Sequence, residues 1–274
     1  MVNDPTITVR ASVALTLVNV LKYERDLAIN LFLELCDTRD ELLKARGVER
    51  FLKYSLQTHF AELLPILRRM INSGDEKNMT AAARLACLTG LVLEESHELA
   101  EACAMHSNEA LRIGAAQIFA ANLLESTFKD FCVKKLCILF NDESEKVRHE
   151  ASACFRKLRN NELIDFLDLA DCFVKSIAFA KEYQLLFYAL EESVTPLPEL
   201  SIEAFERFFE VEGTAVSDIR THAAADSYQV SKLLLRLYAQ SKELHIQERC
   251  LSLIDLLSRI GALGLKEAIE DYER

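Results

Sequence analysis

The chain has 274 residues, half of them apolar, which is enough to bury a sizeable core and excludes a disordered segment. Only seven Gly and four Pro leave too few turn residues for an all-β fold with many tight hairpins, so a mostly helical protein is expected. The formal net charge of -11 falls mostly beyond residue 137, and the chain has no basic stripe of the kind a nucleic-acid binder uses, so no nucleic-acid partner is expected.

Taken in order, the first apolar run is ASVALTLVNVL (11–21). It has about the length of a signal-peptide core, but only Arg10 precedes it, Asp4 opposes that charge, and KYERD follows where small cleavage-site residues belong. It reads as a buried helix with Val9, Val13, Leu17 and Val20 on one stripe. No outer helix precedes it, so the array is expected either to start with an atypical cap or to belong to a longer chain. No run approaches the roughly 18 apolar residues of a membrane span, so no membrane partner is expected, and cysteines without a C-x2-C pair point to a reducing, cytoplasmic setting. Amphipathic helices follow at RDLAINLFLELC (25–36), HFAELLPILRRMI (59–71), TFKDFCVKKLCILF (127–140) and YQVSKLLLRLYAQ (228–240). The richest basic window, RDELLKARGVERFLK (39–53), sets five basic residues against three acidic ones and reads as a solvated, mixed-charge helix face.

Between these helices a second design recurs: a polar turn, a β-branched or long apolar residue followed by Arg, then a run of small apolar residues. It occurs at 4–18, 74–91, 107–124, 141–158 and 242–257, with arginines at 10, 84, 112, 148 and 249. The gaps of 74, 28, 36 and 101 fit two, one, one and three copies of a unit of some 28 to 37 residues. Asp4-Pro5, Ser107 and Asn141 or Ser144 are available as N-caps.

The turn Asp, the Val/Ile-Arg pair and the Ala-rich helix resemble HEAT repeats. The resemblance implies an all-α fold, an α-solenoid of stacked antiparallel helix pairs, and a ladder between neighbouring inner helices built on Arg10, Arg84, Arg112 and Arg148. Residues 1–190 are expected to form the repeat array and 225–274 a C-terminal helical repeat and cap. Between them, 191–224 reads as an irregular acidic break or insert, because Pro196, Pro198 and Gly213 interrupt it. The closing segment is similar to the C-termini of large bacterial multidomain NTPases of the STAND type, whose repeat arrays act as sensors.

The sequence is poor in chemistry. Eight cysteines include no C-x2-C pair and sit mainly among Ala and Leu, as reduced core residues do. GALGLKEA (261–268) lacks the spacing and hydroxyl of a phosphate loop. Two His-Glu pairs, His97-Glu98 and His149-Glu150, look like two of the four pairs with which deoxyhypusine hydroxylase, a HEAT-repeat enzyme, holds two irons. That resemblance implies a di-iron hydroxylase as the alternative. Yet the other four histidines adjoin no Glu, and His149 lies nearly opposite the apolar stripe of Val147, Ala151, Cys154 and Phe155. A HEAT-like DNA glycosylase requires a basic surface that this chain lacks.

The reading that follows is a non-enzymatic scaffold or sensor module, without a cofactor, that binds a protein partner. Glu199, Glu203, Glu206, Glu210 and Glu212 are expected to present a negative field to a basic surface of that partner.

Overall fold

The computed structural model describes residues 2–37, 40–262 and 264–273. Fifteen α-helices and short 3₁₀ turns, with no strand among the described residues, make the fold all-α and compatible with a helical repeat. No described helix is long and apolar enough to cross a membrane. Two compact units divide at residues 135/136.

The first unit holds α1 (Ile7–Val20), α2 (Arg25–Cys36), α3 (Arg46–Ser55), α4 (Phe60–Ile71), α5 (Glu76–Gly90), α6 (His97–Ala104) and α7 (Glu109–Ala121). The division falls within α8 (Lys129–Leu139). In this unit α1 packs on α3, α3 on α5 and α5 on α7, while α2, α4 and α6 cover the same helices from their flanks. Burial follows sequence period: α3 buries Val48, Phe51, Leu52 and Ser55 and leaves Arg46, Arg50 and Lys53 exposed. The Phe32 and Phe51 rings stack with centroids 3.9 Å apart. The backbones of α5 and α7 approach closely where Gly114 faces the carbonyl of Thr80 and the Thr80 hydroxyl donates to Ala110 O at 3.0 Å. Contrary to the expectation of a fully buried first helix, α1 buries Arg10, Ala14 and Leu17 but leaves Val9, Val13 and Val20 half-exposed and Leu15 exposed. Its residues are apolar nearly all round, whereas its neighbours cover one side.

The second unit holds α9 (Glu145–Ser152), α10 (Leu167–Val174), α11 (Phe179–Glu192), α12 (Pro198–Glu212), α13 (His222–Gln240), α14 (Leu244–Ile260) and α15 (Leu265–Glu273). Its core is a run of aromatic contacts. Phe155 meets Phe173 at 4.7 Å, Phe173 meets Phe179 at 5.6 Å, and Phe187 meets Phe205 at 5.3 Å and Phe208 at 5.5 Å. The stretch 191–224, read from sequence as irregular, contains the whole of α12. Pro198 sits in the first turn, where its missing N–H is no loss, and Gly213 ends the helix at φ 52, ψ -124, a conformation closed to residues with a Cβ.

The helix-entry turn repeats in atomic detail. The side chains of Asp4, His106 and Asp142 each accept from the backbone N–H two residues on, at Thr6, Asn108 and Ser144, and these three are the N-caps of α1, α7 and α9. The sequence placed two of these caps one or two residues early, at Asp4-Pro5 and Ser107, because several polar residues stand in a row there and it is Thr6 and Asn108 that take the extended backbone of a cap. Four residues after the cap stands an arginine. Arg112 donates to the carbonyls of His106 and Ser107 at 2.7 and 2.9 Å, and Arg148 donates to those of Asp142 and Glu143 at 2.7 and 3.0 Å. At α14 the hydroxyl of Ser241 accepts from Glu243 N, and Gln247 donates to Ser241 O at 2.9 Å. Gln247, and not Arg249, therefore occupies the arginine position there.

Side-chain bonds between helices have a matching period. They join residues 29 to 35 apart in the first unit, as at Arg69–Asp40, Arg25–Thr58 and Arg84–Glu49, and 33 and 34 apart at His149–Glu182 and Asn161–Thr195 in the second. Beyond α11 the separation grows to 43, at Tyr183–Asp226 and Arg249–Glu206, as the helices lengthen. Replacing Arg148 by Met, which keeps the apolar stem, is expected to cost about 1–3 kcal/mol by leaving two turn carbonyls without their donor. Chemical denaturation followed by circular dichroism measures this, and an unchanged midpoint would show that the turn does not depend on the guanidinium.

Candidate functional site: an acidic groove

Helix α12 spaces Glu199, Glu203, Glu206 and Glu210 at intervals of four, three and four residues, which places them on one face. The opposite face is buried through Ile202, Ala204, Phe205 and Phe208. Helix α10 packs beside α12, burying Leu169, Ala170 and Phe173 and turning Asp168 and Asp171 outwards. Two adjoining concavities lie between them and share Glu203. One, of about 410 Å³, is bounded by Val174, Lys175, Glu203, Glu206, Arg207 and Glu210. The other, of about 330 Å³, is bounded by Leu167, Asp168, Asp171, Glu199, Glu203 and the Pro196–Leu200 turn. Together they form an acidic groove with an apolar end, where Leu167 is exposed beside Pro196 and Pro198.

The carboxylates differ in how they are engaged. Arg249 on α14 donates to Glu199 at 2.8 Å and to Glu206 at 2.9 Å, and its own proton is held more tightly, chiefly by the bond to Glu206. His245 lies 3.0 Å from Glu199, and this hydrogen bond, with the charge of Arg249 behind it, holds the Glu199 carboxyl below its ordinary value. Arg207 reaches Glu210 at 2.7 Å within α12. Lys175 is 2.5 Å from Asp171, a bond that raises its pKa, and Glu203 adds to the same field. Asp168 and Glu203 make neither an ion pair nor a side-chain hydrogen bond, so theirs are the groove's unpaired charges, with Lys175 acting on Glu203 only at longer range. Glu212 stands apart from the groove and faces Tyr183, whose hydroxyl donates to Asp226 at 3.0 Å.

Four of the five glutamates singled out from the sequence thus share one face, but the second wall was not anticipated. Asp168, Asp171 and Lys175 lie in DLADCFVK, whose three-residue acid spacing is the one signal the sequence offers. The arginines expected to form a ladder are engaged in other ways as well. Arg10 is buried and donates to Leu35 O, Arg84 pairs with Glu49 at 2.9 Å, and Arg112 and Arg148 hold their own turns.

The two His-Glu pairs fall in different units. His97 opens α6 and stacks on Phe131 with centroids 5.7 Å apart, and Glu98 follows in the same first turn. His149 is exposed on α9 beside Glu150, and its Nδ1 lies 3.0 Å from Glu182. Among the described residues no three His, Cys, Asp or Glu side chains converge as a metal ion requires. All eight cysteines are free, six of them buried. Burial pushes the thiols of Cys36, Cys103 and Cys132 up to about 12, which suits core residues and not nucleophiles.

No protein-family model, curated protein or solved structure matches the chain. What can be stated of its class is an all-helical protein compatible with a helical repeat.

Proposed function

We propose that the chain is a HEAT-like α-solenoid of stacked antiparallel helix pairs that acts without catalysis, by holding a basic segment of a protein partner in the groove between α10 and α12. The observation that carries this reading is the unpaired charge of Asp168 and Glu203 among four further carboxylates, beside an apolar patch at Leu167 and Pro196. A Lys- or Arg-bearing segment neutralises both acids while its apolar residues cover Leu167. The recurrent entry turn and the contact period near 33 residues support the repeat architecture.

Glu206 and Glu210 are poor test positions, because Glu206→Lys sets a second cation against Arg249 and disturbs the join of α12 to α14. Asp168→Lys/Glu203→Gln removes both free charges without setting a second lysine against Lys175, and neither residue belongs to an ion pair of the groove. A partner recovered from the native host by the wild-type chain is expected to associate several-fold more slowly with this variant. Its association is also expected to slow as salt shortens the Debye length from about 10 Å to about 3 Å. Association indifferent to both changes would leave the acids with a role in solubility alone.

A further inference from the structure

A second concavity, of opposite sign, lies wholly within the first unit. It measures about 460 Å³ and is formed by one face of α3 together with α5 and α7. Arg46, Arg50 and Lys53 line it, successive side chains on the exposed face of α3. At 1.5 Å of helix rise per residue they are separated by about 6 Å and about 4.5 Å along the axis. None of the three makes an ion pair or a side-chain hydrogen bond. The one carboxylate that lines the cavity, Glu49, is already taken by Arg84 at 2.9 Å, and Arg84 is held on its other side by Gln117. The opposite wall is apolar: Leu85 and Leu88 come from α5 and Ile118 from α7, with the ring of Tyr54 exposed at the rim.

In a chain of net charge -11, three free cations on one wall of a cavity are an uncompensated local field. The window 39–53 had read as a solvated mixed-charge face, because sequence shows the charges without their pairing. In the folded chain two of the window's three acids are spent, Glu49 on Arg84 and Asp40 on Arg69 at 2.6 Å, and the third, Glu41, lies ahead of α3 and does not line the cavity. Arg39, from the same window, lies outside the described residues.

We infer that this trough is a docking site for an acidic linear segment of a protein, extended and alternating carboxylate with apolar side chains. In an extended strand successive side chains point to opposite sides, and every second one recurs after about 6.8 Å. That repeat is close to the rise from Arg46 to Arg50. One set of side chains then meets the cations of α3 while the other set lies on Leu85, Leu88 and Ile118. A phosphate-rich ligand fits less well, because the cations are spread along a helix instead of converging, and the opposite wall offers it leucine and isoleucine. The site does not rest on the reading of the acidic groove, since it shares no residue with it.

The test uses the full chain and a fluorescent peptide alternating Glu with Leu, with fluorescence anisotropy as the readout. The wild-type chain is expected to bind this peptide, and to bind the same peptide with Gln for Glu at least about tenfold more weakly. Arg46→Glu/Arg50→Glu is expected to abolish the difference between the two peptides. Lys22→Glu/Lys77→Glu, a charge-matched change at two exposed lysines of the same unit that do not line the trough, should leave affinity within about twofold. Circular dichroism confirms that both variants keep their helices, which is expected because all four positions are exposed. The inference is overturned if the wild-type chain does not bind the Glu/Leu peptide, or if both peptides bind alike. It is equally overturned if both double variants weaken binding to the same degree, or if single-stranded DNA or tripolyphosphate displaces the peptide at lower concentration than unlabelled peptide does.

Discussion

Replacing Phe187 by Ala is expected to destabilise the second unit by about 3–5 kcal/mol, the range for emptying a buried phenylalanine site. Phe187 is fully buried and touches four other rings: Phe179 at 6.4 Å, Tyr183 at 5.3 Å, Phe205 at 5.3 Å and Phe208 at 5.5 Å. These rings come from α11 and α12. The alanine therefore leaves a void between two helices and removes edge-to-face contacts, each worth about 0.5–1.5 kcal/mol beyond area burial. The loss is a large share of the roughly 5–15 kcal/mol that holds an ordinary domain together. Phe187→Leu, which keeps most of the volume, should cost clearly less. Urea denaturation read by circular dichroism distinguishes them, and equal midpoints for wild type and Phe187→Ala would show that the aromatic run does not support the unit. Because α12 also carries Glu199, Glu203, Glu206 and Glu210, a loosened α11–α12 contact should weaken partner capture at the groove even where the helix survives.

How far the sequence led depends on what each signal measures. Hydrophobic period measures which face of a segment is apolar, and it placed α2 at its observed bounds, Arg25–Cys36, and found the C-terminal end of α13 at Gln240. Proline and glycine measure backbone freedom at one residue. Pro198 and Gly213 mark the two ends of α12, and a sequence reading that took them as interruptions missed the helix they enclose. Arginine spacing found the entry turns at Arg112 and Arg148, yet chose Arg249 where the turn uses Gln247, because an amide reaches the same carbonyl as a guanidinium. Charge pairing was the least legible. Nothing in the local sequence shows that Arg249 will cross from α14 to Glu199 and Glu206, or that Asp168 will face Glu203. Those relations are made by packing between helices 35 to 50 residues apart in the chain, so the free acids of the groove and the free cations of α3 emerge only once the helices are in place.

Gly114→Val carries the other large expected effect, and Gly114→Ala gives it a sign test. In an exposed helix interior, Ala in place of Gly stabilises by roughly 0.5–1 kcal/mol. At Gly114 an added Cβ would stand 2.5 Å from the carbonyl oxygen of Thr80, 2.8 Å from the Cβ of Ala83 and 3.2 Å from the backbone nitrogen of Arg84. Two of these neighbours are main chain of α5, so no side chain can swing aside to make room. The whole helix must retreat, and the Thr80 hydroxyl bond to Ala110 O stretches with it. Overpacking of this kind costs about 1–3 kcal/mol or more, which exceeds the gain in propensity, so Gly114→Ala is expected to lower stability and Gly114→Val to lower it by several kcal/mol. A thermal midpoint that rises in Gly114→Ala would sink this account of the α5–α7 contact. The same displacement has a second readout. Leu85 and Leu88 lie on α5 and Ile118 on α7, so forcing these helices apart splits the apolar wall of the basic trough. Gly114→Ala is therefore expected to weaken binding of the Glu/Leu peptide while Arg46, Arg50 and Lys53 remain in place, and the weakening should persist at high salt, because the lost contribution is apolar contact and not charge.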